Sequence, residues 1–151
     1  MSSKKKPPGL RPVSWLVKQI QSALRVATEE ALAPLDLTAA QAAVLSALAY
    51  DSRLSNAELA RAGFVTPQSM VELLRSLETR GLVVRRPHPS GGRAMPAELT
   101  PQGAKQLLAV HMAMREVEQR LLRDLEPVER TRLRELLEKC LSSLRPERES
   151  D

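Results

Sequence analysis

Residues 64–100 read FVTPQSMVELLRSLETRGLVVRRPHPSGGRAMPAELT. Thr66-Pro67 pairs an N-cap with a first-turn proline, whose fixed φ and missing N–H suit that position. Met70, Leu73, Leu74 and Leu77 then recur at helical spacing as one apolar stripe. Gly81 stands where a helix end favours a residue of positive φ. Two short strands, near 82–86 and 94–99, flank a Pro/Gly-rich loop, and Thr100-Pro101 opens another helix. Helix, strand, basic loop, strand and helix is the order of a winged helix-turn-helix. Such a unit lays one helix in a DNA major groove with a basic loop beside it.

The flanking sequence extends this pattern in both directions. Ser55 with Glu58 forms a capping box opening a short helix over 56–62, which Gly63 ends. Thr38 caps an earlier helix that turns Val44, Leu45 and Leu48 inward. Before it, Val13, Leu16, Val17, Ile20, Leu24, Ala27 and Ala31 share one helical face until Pro34 intervenes. Downstream, a long helix runs from Thr100-Pro101 to about Leu125. Pro127 starts a last one, striped by Leu133, Leu136, Leu137, Cys140, Leu141 and Leu144.

The expected fold is mainly α with a small β-wing. Residues 1–10 are expected to form a disordered basic tail and 35–100 the winged helix-turn-helix lobe. Residues 11–34 and 101–145 form a helical layer, and 146–151 a flexible tail. The long helices carry more apolar surface than a compact centre covers, and an amphipathic stripe must be buried against something. Intertwining with a second copy, as a two-fold dimerisation layer, is the expected solution.

Composition bounds the chemistry. At 151 residues the chain is one domain in size, 42% hydrophobic, with Trp15, Tyr50 and Phe64 its only aromatics; the core must be aliphatic, which suits helices. The net charge of +5 is unevenly spread: residues 1–34 carry +4 and residues 75–93 carry +4, while 35–74 carry −2 and 101–151 balance. Phosphate attraction needs such local clustering. A single cysteine excludes an internal disulfide framework. No apolar run is long enough to span a bilayer, and Pro7, Pro8 and Gly9 follow Lys4–Lys6 where a signal peptide needs its hydrophobic stretch. The expected setting is the cytoplasm, with no membrane partner.

The stretch from Leu37 to Leu108 resembles the MarR family of bacterial transcription regulators. The matching residues are Leu37-Thr38 and Gln41, Glu58-Leu59-Ala60, Leu77-Glu78, Gly81-Leu82-Val83 with Arg85, and Leu99-Thr100 with Gly103. The resemblance implies a homodimer that binds a palindromic promoter site, usually as a repressor, and is released by a small-molecule effector or an oxidant. It departs at the wing, where the family usually has Asp-Arg-Arg-Ala and this chain has Gly91-Gly92-Arg93-Ala94. A more mobile wing tip is expected, because glycine loses the most entropy on being fixed. Pro96, in the returning strand, is tolerable only at an edge.

The DNA-binding candidates are Thr66, Gln68, Ser69, Arg75, Arg85, Arg86 and Arg93. Gln68 and Ser69 lie in the first turn of the reading helix, and glutamine can bond an adenine edge bidentately. Thr66 and the helix N-terminus suit a phosphate, and the three later arginines suit the backbone or minor groove. Glu72 is expected to pair with Arg75 or Ser76. Cys140, on the apolar seam, is expected to be buried packing with an unreactive thiol. His88 falls in the wing and His111 on a helix among apolar neighbours. These spacings suit no metal, and no cofactor is expected. No arrangement of nucleophile and base supports catalysis, so the chain is not expected to be an enzyme. Trp15 and Arg25 could border an effector pocket, with core packing for Trp15 and a surface pair for Arg25 the expected roles. The rival class is a winged-helix protein-interaction module that has lost DNA binding, motivated by the altered wing and by Glu72.

Overall fold

The computed structural model describes residues 11–86 and 96–145, in two compact units that divide after Val117. The elements in order are α1 (Val13–Leu32), a 3-10 turn (Ala33–Leu35), α2 (Ala39–Tyr50), α3 (Asn56–Ala62) and α4 (Pro67–Thr79). Strands β1 (Val83–Arg85) and β2 (Ala97–Leu99) follow, then α5 (Pro101–Leu121) and α6 (Pro127–Leu144). The winged-helix order expected from the sequence is therefore present.

Local signals set most boundaries. Thr38 accepts from the Gln41 N–H and Ser55 from the Glu58 N–H, and the Gln41 and Glu58 side chains accept in return from the Thr38 and Ser55 N–H groups. Thr66 accepts from the Ser69 N–H ahead of Pro67, and Thr100 Oγ1 accepts from the Gly103 N–H at 3.0 Å. Gly81 has φ 69°, the left-handed value expected of it. The strands pair antiparallel, Val83 opposite Leu99 and Arg85 opposite Ala97. Pro96 thus falls just outside the ladder, in a two-stranded sheet where both strands are edges.

In the first unit one core joins the elements. Leu32 of α1, Leu37 just before the Thr38 cap, Val44, Leu45 and Leu48 of α2, and Leu59 of α3 meet Met70, Leu74 and Leu77 of α4. Leu82, Val83 and Ala97 from the wing base and Leu107 and Val110 of α5 close it. No polar side chain is buried among the described residues, so apolar burial is the main cohesive term here.

Gly103 decides how closely α5 approaches the wing base. A Cβ at that position would lie 1.9 Å from the Leu82 carbonyl oxygen, which only a bare Cα permits. Thr100 anchors the same corner: its N–H donates to Leu82 O at 3.1 Å and its hydroxyl to Gly81 O at 2.6 Å.

The second unit holds the last turn of α5 and α6. Helix α5 ends at Leu121, one turn before the expected Leu125. Leu125 N–H instead closes a turn on Leu122 O. Glu126 then caps α6 reciprocally with Glu129, and the residue before Pro127 is kept out of helical φ/ψ. No residue of α6 is buried. Leu121, Leu122, Leu133, Leu137 and Leu141 line an apolar cleft of about 480 Å³. Cys140 is exposed in the single chain, contrary to the expected burial, because no described residue covers that seam.

Helix α1 is also largely wet. Val13, Leu16, Val17 and Ile20 stand exposed and only Leu32 is buried. Trp15 is not in the core: the Arg11 guanidinium sits 4.0 Å from its ring centroid at the surface. Arg25 makes the expected surface pair, 2.7 Å to Glu29 one turn on. His111 is likewise exposed, on the outside of α5. No single helix among the described residues is long and apolar enough to cross a membrane.

Candidate nucleic-acid interface

Helix α4 has two opposed faces. Met70, Leu74 and Leu77 are fully buried and Leu73 is half-buried, which fixes the inward side. At 100° per residue Gln68, Glu72, Arg75 and Thr79 fall opposite, and all four are exposed. Val71, also exposed, borders this stripe on the side facing the wing base, where Glu78 meets β1.

The start of the helix is preorganised. The Thr66 hydroxyl caps the Ser69 N–H at 3.1 Å and donates to the Ser69 hydroxyl at 3.0 Å. Pro67 has no N–H, so the Gln68 amide is what this terminus offers an anion. Thr66 is thus a capping residue in the free chain, while Gln68 and Ser69 point outward from the first turn.

Two contacts lock the helix to the lobe. Gln41 uses both ends of its amide: Oε1 accepts from the Thr38 N–H at 2.9 Å and Nε2 donates to the Ser76 hydroxyl at 3.3 Å. Ser76 is therefore engaged with α2 and not with Glu72. The Glu72 carboxylate has no ion-pair or hydrogen-bond partner among the described residues, which corrects the pairing expected from sequence; nor does the Arg75 guanidinium. The second contact is Arg80, 28% exposed, donating to the carbonyls of Asp36 at 2.6 Å and Leu35 at 3.4 Å. A polar cleft of about 470 Å³ lies beside it, lined by Asp36, Thr38, Gln41, Ser76 and Arg80. Sequence reading missed Arg80, because its acceptors are backbone carbonyls far away in the chain and leave no side-chain signature.

The two strand arginines differ. Arg85, 24% exposed, lies 3.3 Å from Glu78 through Nε, an ion pair without hydrogen-bond alignment. It ties β1 to the end of α4. Arg86 is 71% exposed and only 4.0 Å from Glu98, so it presents its charge to solvent. Arg93, His88, Gly91 and Gly92 lie outside the described residues, as do the two tails. Among those described, no cluster of His, Cys, Asp and Glu suits a metal ion.

Comparison with known proteins decides the family. The MarR family model matches residues 35–94. The chain is 36% identical over 128 residues to the transcriptional repressor Rv2887 of Mycobacterium tuberculosis, covering 85% of this chain and 92% of that one. The chain belongs to the MarR family. Its members are regulators of transcription and not enzymes. The fold agrees with crystal structures of the same mycobacterial MarR protein. Its complex with DNA superposes with a TM-score of 0.73 at 32% identity, covering 86% of this chain and 98% of that one. Its complex with salicylic acid gives 0.74 at 35% identity, covering 86% and 96%. The motif residues shared with MarR proteins have physical roles here: Gln41, held by Thr38, binds α2 to α4, Glu78 meets Arg85, and Gly103 admits the Leu82 carbonyl.

Proposed function

We propose that this chain is a homodimeric, sequence-specific DNA-binding repressor that acts in the cytoplasm on palindromic promoter sites and is released by a small-molecule effector. The observation that carries the reading is the outward stripe of α4. Gln68, Glu72 and Arg75 stand in water on a helix whose other face buries Met70, Leu74 and Leu77, with Ser69 at its first turn. Gln68, Ser69 and Arg75 contact bases or phosphates, with Thr66 holding the first turn in place. Arg86 and Arg93 neutralise phosphates beside the wing, and Arg85 contributes as the neighbour that holds the wing base to α4. Support comes also from the relative crystallised with DNA.

Dimerisation is supported by surface that a single chain leaves open. Exposed Leu136, Leu137, Leu141 and Leu144 on α6 and Val13, Leu16, Val17 and Ile20 on α1 are stripes that a second copy would cover. Release by an effector is supported by the relative crystallised with salicylic acid. An effector that alters the separation of two reading helices, matched to half-sites ~34 Å apart, releases DNA.

The test is selection from a random duplex pool at low salt, followed by sedimentation and a salt titration of the selected duplex. A palindrome, a two-chain mass and a steep loss of affinity with salt are expected. If nothing is enriched, DNA reading fails and the protein-interaction module takes its place. A single-chain mass at micromolar concentration removes the dimer. Salicylate that leaves affinity unchanged removes that effector class.

A further inference from the structure

Phe64 combines two unfavourable features at one residue. Its φ is 53°, in the left-handed region that L side chains rarely adopt. Its side chain is 95% exposed, although aromatics are scarce in this chain. Helix α3 ends with Val65 N–H on Ala60 O at 3.0 Å and Phe64 N–H on Arg61 O at 3.2 Å. Phe64 thereby occupies the position after a helix end where glycine is usual. One exposed apolar residue alone needs no account, and neither does one left-handed residue. Here glycine would relieve both penalties at once, so the ring itself is what the site retains.

Its location says what the ring meets. Phe64 lies two residues before Thr66, the cap of α4, and just ahead of Gln68 and Ser69 in the first turn. In a helix-turn-helix the N-terminal residues of the second helix approach base edges. The apolar group that a stacked duplex exposes in its major groove is the thymine 5-methyl. We infer that Phe64 packs on a thymine methyl within each half-site and so sets a thymine preference there. This rests on the DNA-binding reading above.

A thymine-to-uracil scan of the selected duplex tests it, because uracil keeps every hydrogen-bonding group and removes only the methyl. Wild type should lose affinity roughly fivefold to tenfold at one symmetry-related pair of positions. Phe64→Gly should bind the unmodified duplex weaker by a similar factor and be indifferent to uracil there. Its melting temperature should equal or exceed wild type, since glycine suits this backbone. A variant that binds as tightly as wild type with the same uracil profile overturns the inference. So does a variant weakened equally on all duplexes, and so does a ring that proves to be covered by a protein partner. A wild type that enriches no duplex removes this inference together with the reading beneath it, and is recognised as such before any variant is made.

Discussion

Arg80 Nη1 donates to the carbonyl of Asp36 at 2.6 Å, joining the end of α4 to the link between α1 and α2 across 44 residues. Asp36 is left-handed, with φ 53°, and the adjoining Leu35 carbonyl also accepts from Gln106 of α5 at 3.0 Å. The link is thus a sharp turn held from two helices. The carboxylate of Asp36, 3.7 Å from Arg80 and nearly fully exposed, adds little. Arg80→Ala should cost about 1–2 kcal/mol, mostly through the lost charged donor, as read by urea denaturation. Hydrogen exchange should quicken at the Leu37 amide, which closes the same turn on Leu32 O. An unchanged midpoint would show the turn holding itself.

Gly103→Ala tests the approach of α5 to the wing base. The added carbon would stand 1.9 Å from a backbone oxygen, with no flexible side chain to yield. Overpacking of this kind costs about 3 kcal/mol or more. A thermal melt lowered by only a degree or two would mean that α5 shifts easily.

Removing Arg86 and removing Arg85 should have different signatures. Arg86→Ala should lower the slope of log affinity against log salt by about one phosphate contact and leave stability within ~0.5 kcal/mol. Arg85→Ala should instead loosen β1 against α4 by freeing Glu78, lowering stability with a smaller change in slope. Equal slopes and equal stabilities for the two variants would contradict the distinction.

Glu72 has no neutralising neighbour among the described residues and stands between Gln68 and Arg75 on the outward stripe. A lone carboxylate there repels phosphate yet can accept from cytosine N4. Glu72→Ala should therefore bind random duplex several times more tightly while discriminating less at one base pair of the half-site. Selection with both proteins measures this, and an unchanged consensus with unchanged nonspecific affinity would refute it.

The Ser55–Glu58 box makes a pH prediction. Hydrogen bonds from the Ser55 N–H and hydroxyl to the Glu58 carboxylate hold its pKa below the ordinary glutamate value. A depressed carboxylate pKa contributes stability above the unfolded value and loses it as pH falls through the folded one. The α3 cap should therefore be intact at neutral pH and fail only at acid pH, below the usual glutamate midpoint. Titration of the Glu58 side chain by NMR should show the low midpoint, and Ser55→Ala should raise it. A midpoint unmoved by that substitution would refute the hydroxyl's share and leave the Ser55 N–H, which alanine keeps, as the cause.

The sequence made the starts of α2 to α5 legible because each carries a cap whose chemistry is local: Thr38, Ser55, Thr66 and Thr100 act within three residues. The wing order was legible for the same reason, through Gly81 and Thr100-Pro101. What escaped was non-local. Arg80 reaches a carbonyl, Gln41 reaches Ser76, and Gly103 answers to Leu82, and none of these pairings has a periodicity. The early end of α5 was missed because Leu122 and Leu125 continue an apolar pattern after the helix has stopped. Trp15 and Cys140 were misplaced because apolar spacing says which face is sticky, not whether the same chain covers it.

Helix α6 contains no buried residue, yet its leucines run the length of one face. On the proposed dimer reading, what holds this helix in place is supplied from another molecule. Order in this part of the protein then becomes a second-order process: its melting point climbs with the amount of protein present. Dilution would separate the two copies and take away the firmness of α6 in one step, so cellular abundance itself would act as a threshold on repression.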